Sequence, residues 1–238
     1  MPVFRLPSEI AFPRPELAER SGLVAVGGDL SQERLLAAYR SGIFPWYSEG
    51  EPILWFSPDP RFVLYPSELR VSKSLRRSLN SGKYEIRADT RLRAVIEACA
   101  AAPRPGQEGT WITRDMIEAY VRLGDSGYAH SFEAYRDGEL AGGLYGLSLG
   151  KAFFGESMFH WRPDASKAAL AALCAFCERR GFAFVDAQSP TPHLAKMGAR
   201  EIPLAQFLQE LGRALRGETQ RGLWTTLASA IPSAARDG

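Results

Sequence analysis

The stretch His130–Phe159 reads HSFEAYRDGELAGGLYGLSLGKAFFGESMF: three runs of aromatic, aliphatic and small residues, parted by Asp137-Gly138 and by Leu149-Gly150. Asp-Gly between apolar runs signals a hairpin, because these residues accept the positive φ of a tight turn. The spacing therefore predicts a three-stranded antiparallel meander. After it come a helical run, ASKAALAALCAFCERRG, and then GFAFVDAQSP (Gly181–Pro190), which reads as a further buried strand. Upstream, VSKSLRRSLNSG and LRAVIEACA read as helices on either side of a strand at Tyr84–Ala88, and RDMIEAYVRLGDSG as a helix capped by Thr113. Downstream, HLAKMGAR and LAQFLQELGRALRG complete the pattern with two more helices.

Strand, two helices, three-stranded meander, helix, strand, helix is an α+β order. It resembles the N-acetyltransferase-like (acyl-CoA N-acyltransferase-like) fold with a mixed central sheet, in which a donor and an amine meet where the sheet splays open. The first 65 residues differ in texture. They are turn-rich, with one short helix in DLSQERLLAAYRSG capped by Asp29 or Ser31, and with dense aromatics in IFPWYSEGEPILWF. The expected division is a small N-terminal α/β domain over 1–65 and the N-acetyltransferase-like domain over 66–238. Trp46, Tyr47, Trp55 and Phe56 are expected to fill the interface between them, with room for one to face a ligand.

With 45% hydrophobic and 24% charged residues, the 238-residue chain has an ordinary globular composition. The longest run free of charged side chains, Gly222–Ala235, is too short and too polar to cross a bilayer, and no secretory signal is visible at the start. A monomeric cytoplasmic protein with no membrane partner is expected. Cys174 and Cys177 form a CxxC inside a helical run, with neither a helix N-terminus nor a second ligand pair, so core packing is the expectation for them. The formal net charge is +2, but eight bases between Arg70 and Arg93 oppose only Glu85 and Asp89. That segment carries +6 and the remainder −4, which points to a phosphate partner.

Motif chemistry excludes more than it supports. A coenzyme A acetyltransferase needs a Gln/Arg-x-x-Gly-x-Gly/Ala turn after the meander, and FHWRPDASKAAL lacks it. The match at Gln209–Ala214 falls inside a helix, whose amides are already used. Gly155-Glu-Ser-Met-Phe159 has Phe where a nucleophile elbow has Gly. No HExxH, acidic metal loop or nucleotide P-loop is present, so neither a metal nor a cofactor is expected. Two strands stand out instead. By strict alternation Phe182, Phe184, Asp186 and Gln188 share one face, ending in two polar groups. Either the strand frays into solvent, or a carboxylate and a carboxamide line the mouth of a pocket. In KAFFGESMF, alternation sets Phe154, Glu156 and Met158 on one face and Phe153, Gly155 and Ser157 on the other; a Glu there is a structural ion pair or a functional group.

The segments GLVAVGGDLS, RLLAAYRSGIFPWYSEGEPILWFSPDPR, EGTWITRDMIEAY, AGGLYGLSLG, FFGESMF, ASKAAL and FVDAQ…HLAKMGAREIP, from Ile10 to Leu208, resemble the bacterial leucyl/phenylalanyl-tRNA–protein transferases. Departures are small: Lys196-Met-Gly-Ala199 stands where Ser-Leu-Gly-Ala is common, and Leu144 where Met is frequent. The resemblance implies transfer of Leu or Phe, and less readily Met, from aminoacyl-tRNA to proteins beginning with Arg or Lys, marking them for N-end-rule degradation. It implies catalytic roles for Asp186 and Gln188 on the incoming amine and for Glu156 in the same acidic site. Trp46 and Trp111 are then expected at the terminal adenosine. Leu144, Phe153, Ser157, Met158 and Leu173 are expected around the donor side chain, and Lys73, Arg76, Arg77 and Lys83 on the tRNA. An enzyme building peptidoglycan bridges from aminoacyl-tRNA usually duplicates this domain, which 238 residues cannot hold. A non-catalytic tRNA-binding module is the alternative of a different class.

Overall fold

A computed structural model describes residues 4–103 and 110–225. The N-terminal unit holds β1 (Phe4–Arg5), β2 (Leu23–Val26), α1 (Gln32–Arg40), β3 (Phe44–Pro45) and β4 (Leu54–Phe56), its four strands ordered β1-β2-β4-β3. Ser31, rather than Asp29, caps α1, its hydroxyl accepting from Arg34 N. The buried Arg34 guanidinium donates to Asp29 and to the carbonyls of Pro7, Ser8 and Glu9, which ties the entering chain to this helix. Gly42 ends the helix at φ 74, a conformation other residues resist. A Cβ there would sit 2.9 Å from Leu208 and 3.0 Å from Phe207, so glycine also lets the turn close onto the rest of the chain.

The rest of the chain runs β5 (Arg61–Leu64), α2 (Lys73–Asn80), β6 (Glu85–Ala88), α3 (Leu92–Ala101), α4 (Arg114–Asp125), β7 (Ala129–Arg136), β8 (Glu139–Leu149), β9 (Ala152–His160), α5 (Ala165–Arg179), β10 (Phe184–Gln188), α6 (Pro192–Lys196), β11 (Arg200–Ile202) and α7 (Leu204–Ala214). These strands form one seven-stranded sheet ordered β11-β5-β10-β9-β8-β7-β6. The meander β7-β8-β9 is antiparallel as expected, and α5 carries the chain over to β10, which runs parallel to β9. The sheet is mixed, and the α+β order holds. Arg61–Leu64, inside the stretch expected to form the N-terminal domain, pairs with β10 and β11, so the two sheets part just ahead of Arg61.

Two apolar layers sandwich the large sheet. On one face α5, with Leu173 and Phe176, and α2 cover Leu144 and Phe153. On the other, α3, α4 with Tyr120, α7 and the N-terminal unit with Tyr39 cover Tyr145 and Phe154. Cys174 and Cys177 are buried free thiols in α5; burial pushes Cys174 up to about 12 and Cys177 well above its usual value, so both are inert packing groups. Among the described residues no helix is long and apolar enough to cross a membrane.

Candidate active site

The large sheet opens between its two parallel strands. Their pairing ends at Asp186 and Phe154. Just beyond, β9 carries an extra residue: Tyr145 faces Ser157 but Gly146 faces Gly155, so Glu156 lies in a bulge. β10 breaks register at the same level, between Asp186 and Gln188, and Gln188 takes φ 55. The two displaced residues meet across the opening, Gln188 Nε2 donating to Glu156 Oε1 at 3.5 Å.

These bulges correct the strict alternation of faces. Directly opposed residues share a face, so Met158 sides with Leu144, and thus with Phe153 rather than Phe154. Ser157 sides with Tyr145, on the face opposite the apolar row it was expected to join. Phe184 and Asp186 do share a face, but Phe182 precedes the strand and packs in the opposite layer, and Gln188, opposite Phe62 beyond the register shift, is out of step with them.

Glu156 is the hub. Tyr39 Oη, at the end of α1, donates to its Oε1 at 2.6 Å, and Tyr120 Oη, on α4, donates to its Oε2 at 3.0 Å. The two hydroxyls also hydrogen-bond each other. Both phenols donate to the carboxylate, so these two hydrogen bonds favour its ionised form. Desolvation nevertheless outweighs them and raises its pKa to about 7, with Asp186 adding an upward push and Arg61 a downward one. Burial, then the Glu156 charge, pushes both tyrosines well above their usual range, so the phenols stay protonated.

Asp186 does not line the opening. It is fully buried and paired with the equally buried Arg61, Nε to Oδ1 at 2.9 Å and Nη2 to Oδ2 at 2.6 Å. Arg61 also donates to Gly42 O, and its guanidinium lies between the Phe44 and Phe207 rings. The remaining acceptor capacity of Asp186 goes to the backbone of Gln188, whose N–H donates to Oδ1 at 3.0 Å. The fraying reading does not hold for Asp186, which is buried and ion-paired. It fixes the turn that presents Gln188.

Leu144, Phe153 and Leu173 are buried in one cluster with Met158 part-exposed at its edge, so four of the five residues expected around a donor side chain come together. In the N-terminal unit Trp55 and Tyr47 turn inward, while Trp46 stays 43% exposed. The Tyr47 hydroxyl hydrogen-bonds Thr113, the cap of α4, which brings the Trp46 segment after β3 to the segment holding the half-buried Trp111. On α2, Leu75 and Leu79 pack inward while Lys73 and Arg77 are exposed and Arg76 half-buried. Lys83 follows, its ammonium over the Tyr84 ring. Arg87 and Arg93 are committed to Glu85 and Glu118, so the basic surface is narrower than the charge count suggests.

Arg61, Tyr39 and Tyr120 were not singled out in the sequence. Each nevertheless ends or nearly ends one of the quoted motifs, FSPDPR, RLLAAYRSG and DMIEAY, which was the available signal.

Comparison with known proteins places this geometry. The family described as leucyl/phenylalanyl-tRNA protein transferase matches residues 63–212, and its N-terminal domain matches residues 28–59. A leucyl/phenylalanyl-tRNA–protein transferase of Myxococcus xanthus is 57% identical over 234 residues, covering 98% of this chain and all of that protein. One from an Anaeromyxobacter species is 57% identical over 235 residues, covering 99% of this chain and all of that protein. Among solved structures, an aminoglycoside acetyltransferase from a soil metagenome is similar at TM-score 0.33 and 18% identity, over 47% of this chain and 86% of that one. L-PGS from Bacillus licheniformis is similar at TM-score 0.38 and 11% identity, over 74% and 58% of the respective chains.

Proposed function

Because this chain belongs to the leucyl/phenylalanyl-tRNA protein transferase family, we propose that it transfers Leu or Phe, and less readily Met, from aminoacyl-tRNA to acceptor proteins. It is an acyltransferase of the aminoacyl-tRNA–protein class. The acceptors begin with Arg or Lys, and the added residue marks them for N-end-rule degradation. The observation that carries the catalytic reading is the meeting of Glu156 and Gln188 where β9 and β10 part.

The donor is already an activated ester, so no ATP step is needed. The acceptor's neutral N-terminal amine attacks the ester carbonyl, the C–N bond forms, and the C–O bond to the terminal ribose breaks. The surplus proton of the amine passes to the departing ribose oxygen by way of Glu156. A free N-terminal amine has a pKa of about 7.7–8.0, so roughly a third is neutral near pH 7.5 and a weak base suffices. A carboxyl with pKa about 7 suits that proton traffic. With both oxygens held by tyrosines, it suits it better than lasting pairing with an Arg or Lys side chain. The Gln188 amide donates to Glu156 and keeps its carbonyl oxygen for an N–H of the amine. Positioning the two substrates supplies up to ~7–11 kcal/mol, the larger share of the acceleration.

Leu144, Phe153, Met158 and Leu173 receive the donor side chain, and Trp46 and Trp111 flank the terminal adenosine. Transfer of radiolabelled Phe from Phe-tRNA to a Lys-starting protein tests the activity; tRNA binding without transfer would select the non-catalytic alternative. The exposed face of α2, with Lys83, holds the tRNA by its phosphates. Replacing Lys73, Arg76 and Arg77 by Ala should flatten the slope of log affinity against log salt by about 0.7–0.9 per lost contact. It should raise KM for aminoacyl-tRNA yet spare an aminoacyl-adenosine donor. Equal damage with both donors would refute the phosphate role.

A further inference from the structure

We propose that Trp224, on the C-terminal segment, forms the inner wall of the donor side-chain pocket and sets the length of side chain accepted; the proposal rests on the reading of the apolar cluster as that pocket. Trp224 lies beyond the stretch that the family model matches, residues 63–212. It is fully buried. Its ring stacks on Phe176 at 4.4 Å and on His130 at 3.7 Å, and meets Phe153 at 6.0 Å and Phe132 at 6.2 Å.

Strand register shows which end of the cluster it closes. Phe132, Leu144 and Met158 stand side by side across β7, β8 and β9, and Met158 is the part-exposed member. One step deeper, His130 faces Gly146, and the Phe153 ring packs against that glycine. A Cβ on Gly146 would come within 2.6 Å of the ring, so the close approach depends on glycine. Trp224 abuts both His130 and Phe153, at the end of the row farthest from Met158. On α5 the same order repeats: Leu173 belongs to the pocket, and Phe176, one turn on, underlies Trp224.

The wall is fixed rather than merely filled. Trp224 N donates to Asp89 Oδ2 at 2.7 Å and Nε1 to Gln220 O at 3.0 Å, while Asp89 also holds His130 Nδ1 at 2.8 Å. Thr225 Oγ1 donates to Ala88 O, and upstream Gly150 N donates to Thr219 Oγ1. A strap anchored on both sides of the tryptophan holds the ring at a set depth.

The test compares Trp224→Phe and Trp224→Leu with wild type in transfer from Leu-tRNA and Phe-tRNA to a Lys-starting peptide. The reading is the ratio of the two kcat/KM values, in which the folded fraction of each preparation cancels. Receding the wall by a methylene or more should move that ratio toward Phe by about tenfold or more, further for Leu than for Phe at position 224. An unchanged ratio in both variants, with a lowered melting temperature, would reduce Trp224 to core packing and overturn the proposal. Met158→Ala and Leu144→Ala separate the two readings. If they shift the ratio and the Trp224 variants do not, the pocket stands and the wall falls. If none shifts it, the pocket reading itself fails.

Discussion

Asp186→Ala is expected to cost about 3–5 kcal/mol of folding stability, because it strands the Arg61 guanidinium, fully buried, without its counter-charge. Against a typical total of about 5–15 kcal/mol, that loss is visible in any melt. A merely frayed strand end would lose less than about 0.5 kcal/mol. The double variant Arg61→Met/Asp186→Leu removes both charges and keeps apolar volume between Phe44 and Phe207, so most of the stability should return. Activity should not return with it. Gln188 N–H loses its carboxylate acceptor, and nothing then holds the residue at φ 55 facing Glu156. Denaturant melts paired with single-turnover transfer from Phe-tRNA check both halves. Recovery of stability and rate together would make Asp186 purely structural. A single variant as stable as wild type would contradict the buried pair itself.

The strands and their order were legible because turns and periodicity are local. Asp137-Gly138 announces one hairpin, and Thr113 and Ser31 cap their helices as side-chain chemistry predicts. Which side chain faces which layer was legible only up to the first bulge. One unpaired residue at Glu156 moves Met158 to the face of Phe153 and Ser157 to the face of Tyr145. A bulge adds no compositional mark beyond the adjacent Gly155. The buried ion pair of Asp186 was illegible for a different reason. Its partner stands 125 residues away in sequence, on the neighbouring strand β5, and no spacing rule reaches that far. The same holds for Tyr39 and Tyr120, which converge on one carboxylate from α1 and α4. Local pattern thus located the polar groups at the strand ends. Tertiary contact decided which of them faces the opening.

Glu156→Gln should lower single-turnover transfer by about a hundredfold or more while stabilising the fold at neutral and higher pH. The two effects have one origin. An amide carries no charge to desolvate in this buried place, but it cannot take the proton of the amine. In the wild type the folded-state pKa, about 7, lies above the ordinary carboxyl value, so the native state binds the extra proton between roughly pH 4.5 and 7. Stability from this group is therefore fully present below that window and is lost as pH rises through about 7, a change on the order of 3 kcal/mol. Melts of the variant should lack that decline and exceed wild type above pH 7.5. Rates move the other way. Wild-type transfer should rise with pH in two limbs, one near 7 from Glu156 and one near 7.7–8.0 from the acceptor amine, and the variant should keep only the second. Tyr120→Phe supplies a control that a general loss of structure cannot imitate. Its missing hydroxyl no longer favours the ionised carboxylate, so the first limb should shift to higher pH, with most of the rate regained there. Were Glu156→Gln to transfer Phe at the wild-type rate with both limbs intact, the proton would be leaving by another route.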